Sequence, residues 1–273
     1  MEGKLIIVEG NIAAGKSTLC RDIAEKLNYG LFIEPTDNNP FLEKYYADPK
    51  TYALPMQMWF LKQRFTTYCQ ALRYLLEGVD DKGKKVNGVI LDRSIFSDSV
   101  FAEKNYVDEN FSTEGYNEYK MLRAKFLSLV PLPHLMVYLD ASPETCYDRI
   151  HNLRKRGCEE VIPLAYLAGL DECYKTLIAE LEQSNTTDVL LVPWNTFSPS
   201  ESIIANIQNS LKTSAKSSKF NSTELMAVKS MVHTDASIQL ALEAQVREDC
   251  PASLILSPMG KGAHPAHQRV ISP

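Results

Sequence analysis

The sequence predicts an α/β protein with a parallel five-stranded sheet flanked by helices. Five short apolar runs, each the length of a buried strand, alternate with longer stretches in which apolar residues recur at helical spacing. A glycine-containing turn joins the first apolar run directly to the first helical stretch. The chain has 273 residues, which is enough for one such domain with additional segments.

The first glycine turn follows a strand predicted at residues 5–8 and fits the phosphate-loop (P-loop) pattern G-x-x-x-x-G-K-[ST]. In this pattern backbone N–H groups turn inward at a helix N-terminus, where they can bind phosphate. Lys16 is expected to reach the terminal phosphates of a nucleotide, and the Ser17 hydroxyl to bind magnesium. A plain glycine turn is the alternative, but the flanking strand and helix favour a sheet of the P-loop NTPase type. The predicted loop comprises Gly10, Asn11, Ile12, Ala13, Ala14, Gly15, Lys16, Ser17 and Thr18.

The second and third predicted strands, residues 31–33 and 88–91, both end in acidic residues. The carboxyl ends of parallel strands form the ligand crevice of an open sheet. Glu34 and Asp92 should therefore face the phosphate loop, with Asp92 organising magnesium and Arg93 neutralising phosphate charge. The alternatives are a solvated acid at Glu34, and an N-cap region with a surface ion pair at Asp92.

A long helical run over residues 51–76 carries Gln57 and Arg64 on one face, two helical turns apart. Pro55 lies near its predicted start, where proline is tolerated. The remaining pattern predicts helices at 97–106, 113–129, 164–181 and 200–211, and strands at 135–140 and 189–192.

Basic residues cluster between the fourth strand and Pro163, and they include Arg149, Arg154 and Arg156. Such a cluster beside a glycine suits a mobile lid, over about residues 154–162, that closes on phosphates and expels water. The alternative is a solvated helix C-terminus that the helix dipole favours.

Composition excludes several classes of function. The 29 basic and 34 acidic residues give a net charge of −5, which argues against general binding to nucleic-acid polymers or anionic membranes. The six cysteines have no CxxC spacing, so we expect reduced thiols and no metal site or disulfide framework. The apolar runs are too short to span a bilayer, and the phosphate loop begins too close to Met1 for a cleaved leader. We expect a cytoplasmic enzyme, with the nucleus as the alternative.

The composition changes near residue 212. Residues 212–273 are rich in Ser, Lys, Ala, Pro and His, and we expect a low-complexity, largely disordered tail that is dispensable. Within it, residues 234–246 could form a helix. The domain is accordingly expected to span residues 1–211.

Together these motifs resemble the deoxynucleoside kinase family, which includes deoxycytidine, deoxyguanosine and deoxyadenosine kinases. The resemblance covers about residues 4–211. It rests on residues 9–18, on Glu34-Pro35, on Tyr46 followed by Gln57 and Arg64, on Asp92-Arg93-Ser94, and on the basic segment that leads to Ile162-Pro163-Leu164.

The resemblance implies phosphorylation of a deoxyribonucleoside at its 5′-hydroxyl by ATP and Mg²⁺, in nucleotide salvage, by a homodimer. Glu34 would be the general base, Arg93 would steady Glu34 and the transferring phosphoryl group, and Lys16 would complete the catalytic set. Arg154 and Arg156 would join the loop in binding ATP, with Arg149 a weaker candidate. The metal would be held by Ser17 and Asp92. The nucleoside would be bound by Glu34, Tyr46, Gln57, Arg64, Arg93, Asp98, Phe101 and Glu159, of which Tyr46 and Glu159 would bind the 3′-hydroxyl.

The sequence departs from the family pattern at three places. The helix before the lid, which carries Arg149, is one residue longer than in the vertebrate pattern, and the segment before Phe101 is one residue shorter. Ala13-Ala14 replaces the usual Gly-Ser pair, which is harmless if those side chains point outward. Asp92 stands where many members carry Glu.

The pair Arg64 and Asp98 bears on the choice of base. Family members that accept thymidine have smaller or uncharged residues there, so the resemblance favours a purine or cytosine over thymine. A purely structural salt bridge is the alternative.

For the whole chain, the other hypotheses are a nucleoside-monophosphate or other small P-loop kinase, and a non-catalytic kinase-like nucleotide-binding subunit. The presence of Lys16 and Glu34 argues against the last.

Overall fold

The computed structural model describes residues 3–34, 36, 39–154, 157–184, 186–213 and 228–245. Its strands form one parallel sheet, as predicted, in the order β2-β3-β1-β4-β5. The strands are β1 (Lys4–Gly10), β2 (Gly30–Phe32), β3 (Gly88–Asp92), β4 (Leu135–Asp140) and β5 (Asp188–Pro193).

Helices cover both faces of this sheet. They are α1 (Lys16–Leu27), α2 (Leu42–Ala47), α3 (Pro49–Glu77), α4 (Asp98–Val107), α5 (Thr113–Ser128), α6 (Pro143–Arg149), α7 (Leu164–Ser184), α8 (Ser200–Thr213) and α9 (Asp235–Glu243). A π-helical turn (Ile150–Arg154) and a 3₁₀ turn (Gly157–Glu159) lie between α6 and α7. In the described part of the chain, none of the helices combines the length and apolar character needed to span a bilayer.

The central strand β1 divides the core into two layers. Its side chains alternate between the faces of the sheet, and all of them from Leu5 to Val8 are fully buried. Leu5 and Ile7 pack in the layer that includes α3, α5 and α9. Ile6 and Val8 pack in the layer that includes α1, α7 and α8. Burial on both faces explains why β1 is a continuous apolar run.

The strand order places the ligand crevice. Strand β1 pairs with β3 on one side and with β4 on the other, and the chain crosses over β1 when it passes from β3 to β4. In open sheets of this kind the ligand crevice lies beyond the carboxyl ends of the strands at such a crossover. Val8 is in register with Asp92, which brings the end of β3 beside the phosphate loop. The end of β2, with Glu34 two residues beyond it, lies at the same edge.

Two local features differ from the sequence-based expectations. Helix α2 was not predicted, because its six residues are too few to display a clear period. Helix α3 begins at Pro49, so Pro55 lies inside the helix rather than near its start. The helix begins early because the Asp48 side chain caps it, accepting a hydrogen bond from the Thr51 N–H at 3.3 Å.

Part of the segment after residue 211 is folded against the domain. Val232, Ile238 and Leu242 are at most 1% exposed and belong to the same core layer as α3. Arg73 on α3 forms a 3.0 Å ion pair with Asp235. Residues 228–245 therefore differ from the disordered, dispensable tail that composition suggested. The rest of that tail lies outside the described residues, and the boundary at residue 211 stays a prediction.

Truncation after Thr213 should destabilise the protein. Burial of one aliphatic side chain contributes on the order of 1.5–3 kcal/mol to the free energy of unfolding. This truncation removes three buried aliphatic side chains, those of Val232, Ile238 and Leu242. We expect a clearly lower Tm in thermal unfolding. Truncation after Gln245, which keeps α9, is the matched control and should unfold like the full chain. Equal Tm values for the two truncations would show that α9 contributes nothing to the core.

Candidate active site

A cavity of about 430 Å³ opens at the carboxyl edge of the sheet. The phosphate loop, α3, the start of α4 and the lid region line it. It thus lies where the strand order places the ligand crevice.

The phosphate loop has the backbone geometry that its sequence predicts. Gly10 has a φ of 147°, and a Cβ there would lie 2.9 Å from the Leu139 carbonyl oxygen. Gly15 has a φ of 98°, and a Cβ there would lie 2.9 Å from the ring of Phe197. Glycine is therefore required at positions 10 and 15. Asn11 anchors the loop, because its side-chain amide donates to the Leu167 carbonyl at 2.9 Å.

Ala13 and Ala14 do not point outward, so the condition under which their substitution for Gly-Ser would be harmless is not met. Ala14 is fully buried and Ala13 is 9% exposed. Ala13 also has a φ of 59°, a left-handed conformation in which a side chain is strained. Small side chains fit because both Cβ atoms pack into the core layer with Ile12 and α1.

The side chain of Lys16 is buried against the backbone of the phosphate loop. Its Nζ donates to the carbonyl oxygens of Asn11 at 2.7 Å and Gly10 at 3.2 Å. Burial, aided by the positive charge of Arg93, lowers the pKa of Lys16 to about 8. The ammonium group is thus held by neutral acceptors and lines the cavity, where it is available to phosphate.

Ser17 and Asp92 face each other across the loop, as the sequence predicts for a magnesium site. The Ser17 hydroxyl donates to Asp92 Oδ2. Asp92 Oδ1 is buried and has no hydrogen-bond partner, so one carboxylate oxygen is left for a cation. The described residues contain no group of three or more His, Cys, Asp or Glu side chains that could enclose a metal. A hydroxyl and one carboxylate suit Mg²⁺, which usually completes its shell with water and substrate phosphates.

Glu34 is clamped between two arginines rather than solvated. Arg64 donates to Glu34 Oε1 from Nη2 at 2.5 Å and from Nε at 3.1 Å. Arg93 Nε lies 3.1 Å from Glu34 Oε2. Burial alone would raise the pKa of Glu34, but the charges of Arg64 and Arg93 outweigh it and hold the pKa below its usual value. Glu34 is therefore ionised at neutral pH and fixed in direction.

Arg93 occupies a buried position and not a surface ion pair. It is 5% exposed and has a φ of 65°, which is uncommon for a residue with a side chain. Its N–H donates to the Val8 carbonyl at 3.0 Å, and its Nη1 donates to the Tyr174 hydroxyl. These contacts hold the guanidinium beside Glu34.

The residues expected to read the base form one buried network. Arg64 Nη1 donates to Asp98 Oδ1. Gln57 Nε2 donates to Asp98 Oδ2 at 2.9 Å, and the Tyr119 hydroxyl donates to the same oxygen at 2.7 Å. Gln57 Oε1 is buried and has no partner, so this network leaves one acceptor unused beside the cavity that Gln57 lines.

Two phenylalanines enclose the arginines of this network. The Phe101 ring centroid lies 4.7 Å from Arg93 Cζ and 5.2 Å from Arg64 Cζ. The Phe60 centroid lies 4.9 Å from Arg64 Cζ on α3. Both rings line the cavity, where they offer an apolar surface to a base.

The residues expected at the sugar lie at the lid end of the cavity. Tyr46 and Glu159 both line it, and burial followed by the Glu159 charge raises the pKa of Tyr46 well above its usual value. Arg154 Nε is 3.1 Å from Glu159 Oε2, so the lid arginine contacts this carboxylate. Arg156, the second predicted lid arginine, lies outside the described residues.

Comparison with known proteins shows the family to which the chain belongs. The family model "Deoxynucleoside kinase" matches residues 6–216. A deoxyguanosine kinase of Dictyostelium discoideum is 43% identical over 206 residues, which cover 76% of this chain and 69% of that protein. The chain belongs to the deoxynucleoside kinase family. It is therefore a phosphotransferase that acts on an alcohol group of deoxynucleosides.

Two further relatives agree with this assignment. A deoxyadenosine kinase of Dictyostelium discoideum is 29% identical over 208 residues, which cover 76% of this kinase and 79% of the relative. The solved structure of a deoxyadenosine kinase from M. mycoides with bound dATP matches with a TM-score of 0.63 at 27% identity. That match covers 77% of this kinase and 100% of the solved chain.

Arg149 does not extend freely towards the phosphates in this kinase. Its Nη1 donates to the Ala14 carbonyl at 3.0 Å, and its Nη2 donates to the Trp194 carbonyl at 2.7 Å. The guanidinium also lies 4.1 Å from the centre of the Phe197 ring. Arg149 therefore ties the phosphate loop to the segment after β5. It also lines the cavity, and its role as a weaker phosphate ligand stays a prediction.

Sequence reasoning missed three side chains of the kinase site. Tyr174 and Tyr119 hold Arg93 and Asp98 from helices remote in sequence, and at helical spacing they look like ordinary core residues. Glu9 lies directly before the phosphate loop and is fully buried. A charged residue at the end of an apolar strand was the available signal for Glu9.

Proposed function

We propose that this kinase transfers the terminal phosphoryl group of ATP, with Mg²⁺, to the 5′-hydroxyl of a purine or cytosine deoxynucleoside. The product is a 5′-monophosphate, formed in nucleotide salvage. The observation that carries the base preference is the buried ion pair between Arg64 and Asp98, which lies beside the Gln57 amide.

The Gln57 amide can recognise a base only as an acceptor. Its Nε2 already donates to Asp98 Oδ2 at 2.9 Å and to the Asp98 carbonyl at 3.1 Å. An amide nitrogen has two hydrogens, so no donor is left for the ligand. The exocyclic amines of adenine and cytosine and the N–H groups of guanine can supply the donor that Oε1 lacks. The N3–H of thymine can do so too, so this acceptor binds a base without excluding thymine.

The neighbouring Arg64–Asp98 pair supports the exclusion of thymine. Both side chains are at most 5% exposed, and Asp98 also accepts from Tyr119. A pair fixed by so many contacts cannot move aside for a 5-methyl group without leaving buried charges unpaired. The similarity to deoxyguanosine and deoxyadenosine kinases agrees with a purine.

The chemistry follows from the residues at the other end of the cavity. Glu34, ionised and aimed by two arginines, accepts the proton of the 5′-hydroxyl as that oxygen attacks. Arg93 and Lys16 stabilise the charge on the transferring phosphoryl group. Ser17 and Asp92 would hold Mg²⁺, which neutralises phosphate charge when bound. The 54% exposed ring of Phe197, beside Gly15, offers a stacking surface for the adenine of the donor.

Catalytic efficiency on the four natural deoxynucleosides tests the base preference. We expect deoxyadenosine, deoxyguanosine or deoxycytidine to be the best substrate, measured as coupled ADP production. Gln57→Leu should raise the KM for that substrate by about 10-fold or more, because a buried hydrogen bond to the base is lost. Gln63→Leu, on the same helix and outside the cavity lining, is the matched control. Thymidine as the best substrate would overturn the proposal.

We further propose a cytoplasmic homodimer, by resemblance to the family. Multi-angle light scattering of the purified chain measures the oligomeric state, and a monomer would contradict the proposal.

A further inference from the structure

We propose that Glu9 is a positioning residue for phosphoryl transfer, which holds Arg93 in its left-handed conformation by binding the serine hydroxyls that follow it. Nothing in the mechanism above uses Glu9. It is fully buried at the end of β1, where the adjacent residues form the phosphate loop.

The contacts of Glu9 all reach the segment that carries Arg93. The Ser94 hydroxyl donates to Glu9 Oε1 at 2.8 Å, and the Ser97 hydroxyl donates to Glu9 Oε2 at 2.5 Å. Both serines are at most 1% exposed. Glu9 therefore connects β1 to the turn between β3 and α4 at two points.

That turn requires external support. Arg93 has a φ of 65°, a left-handed conformation that is strained for a residue with a side chain. Strain of this kind persists only where surrounding contacts fix the backbone. On one side of the turn the Arg93 N–H donates to Val8, and on the other side the Ser94 and Ser97 hydroxyls are bound by Glu9.

A carboxylate is the side chain that this arrangement needs. The Ser94 oxygen already accepts a hydrogen bond from the Phe96 N–H at 3.2 Å, so its own hydrogen must find an acceptor. An ionised glutamate has acceptors on both oxygens, whereas glutamine presents an N–H on one side. Glu9→Gln would take one of the two carboxylate acceptors away. A Ser97 hydroxyl that faced the amide N–H would keep only the Ser94 carbonyl, at 3.5 Å, as an acceptor.

The charge of Glu9 acts on the same arginine. Burial raises the pKa of Glu9, while the Arg93 charge and the two serine hydrogen bonds lower it. Burial lowers the pKa of Arg93, and the carboxylate charges of Glu34 and Glu9 are among the interactions that raise it. Glu9 does not touch the reacting atoms, so its effect on the rate passes through Arg93.

Steady-state kinetics of Glu9→Gln test the inference. We expect kcat to fall by about 10- to 100-fold, since a small displacement of a positioned group is costly, while the KM for ATP stays within about two-fold. In an Arg93→Ala background the same substitution should lower kcat no further, because the guanidinium that Glu9 positions is absent. If Glu9→Gln does not fold, Ser97→Ala removes one of the two contacts and should lower kcat in the same direction.

His134→Ala is the matched control. Its Nδ1 accepts a hydrogen bond from the Leu5 N–H at 3.0 Å, so this variant loses a buried contact at the opposite end of β1. It should lower Tm and keep kcat.

The inference rests on the proposed role of Arg93, and the variants separate the two failures. Wild-type kcat in folded Glu9→Gln or Ser97→Ala, together with a low kcat in Arg93→Ala, would overturn the role of Glu9 alone. A wild-type kcat in Arg93→Ala would overturn the role of Arg93, and that of Glu9 with it.

Discussion

Replacing Glu34 by glutamine should lower kcat by about two to four orders of magnitude, with little change in deoxynucleoside affinity. A general base acts in the transition state, and glutamine cannot accept the proton of the 5′-hydroxyl. The amide keeps the size of the side chain between Arg64 and Arg93. Single-turnover kinetics measure the rate of the chemical step. Equilibrium titration with the deoxynucleoside measures its affinity.

The control for this variant is Glu43→Gln, an exposed position on α2. It should retain wild-type kcat. A near-normal kcat in Glu34→Gln would remove Glu34 from the mechanism. The pH dependence of wild-type stability gives a second check on the ion pairs of Glu34, because Arg64 and Arg93 hold the pKa of Glu34 below its usual value. The ion pairs of Glu34 therefore stabilise the fold at neutral pH, and their contribution is lost as pH falls through this lowered pKa.

Replacing Lys16 by alanine should lower kcat/KM for ATP by about 10²- to 10³-fold, the usual effect of removing one preorganised donor to a developing charge. Lys26→Ala, on the exposed side of the same helix, removes a lysine paired with Glu201 and should leave catalysis intact. Steady-state assays over a range of ATP concentrations measure both variants. Equal values for Lys16→Ala and Lys26→Ala would contradict the role of Lys16.

Lys16 also predicts a dependence on pH. Its pKa of about 8 in the free protein means that it loses its charge as pH rises through this value. The KM for ATP should therefore rise between pH 7 and pH 9 in the wild type. Bound phosphates favour the ammonium form, so ATP binding near pH 8 should take up a proton. Calorimetry in buffers with different ionisation enthalpies measures that uptake, and its absence would contradict a lowered pKa.

The sequence was sufficient for the parts of the site that are close to a strand end. Glu34, Asp92 and the phosphate loop each follow a buried apolar run, and parallel strands bring such ends to one edge. The five strands were predictable because each is a short apolar block between helical patterns.

The parts that could not be predicted depend on contacts distant in sequence. Tyr174 reaches Arg93 from 81 residues away, and its position on α7 is that of any core tyrosine. The helix expected at residues 234–246 is present as α9, but its burial could not be predicted, because the surface that covers it comes from α3 and its neighbours. The orientation of Arg149 towards the Ala14 and Trp194 carbonyls likewise requires coordinates.

A single guanidinium, that of Arg64, contacts both Asp98, which we propose to read the base, and Glu34, which we propose as the general base. A base that displaces Asp98 should therefore also displace Glu34, the proposed proton acceptor, through Arg64. We expect a poorly fitting nucleoside to be rejected at two stages, first by weaker binding and again by slower turnover once bound. Selectivity in this kinase would then multiply across the two stages, and a poor substrate present in excess would still be phosphorylated slowly.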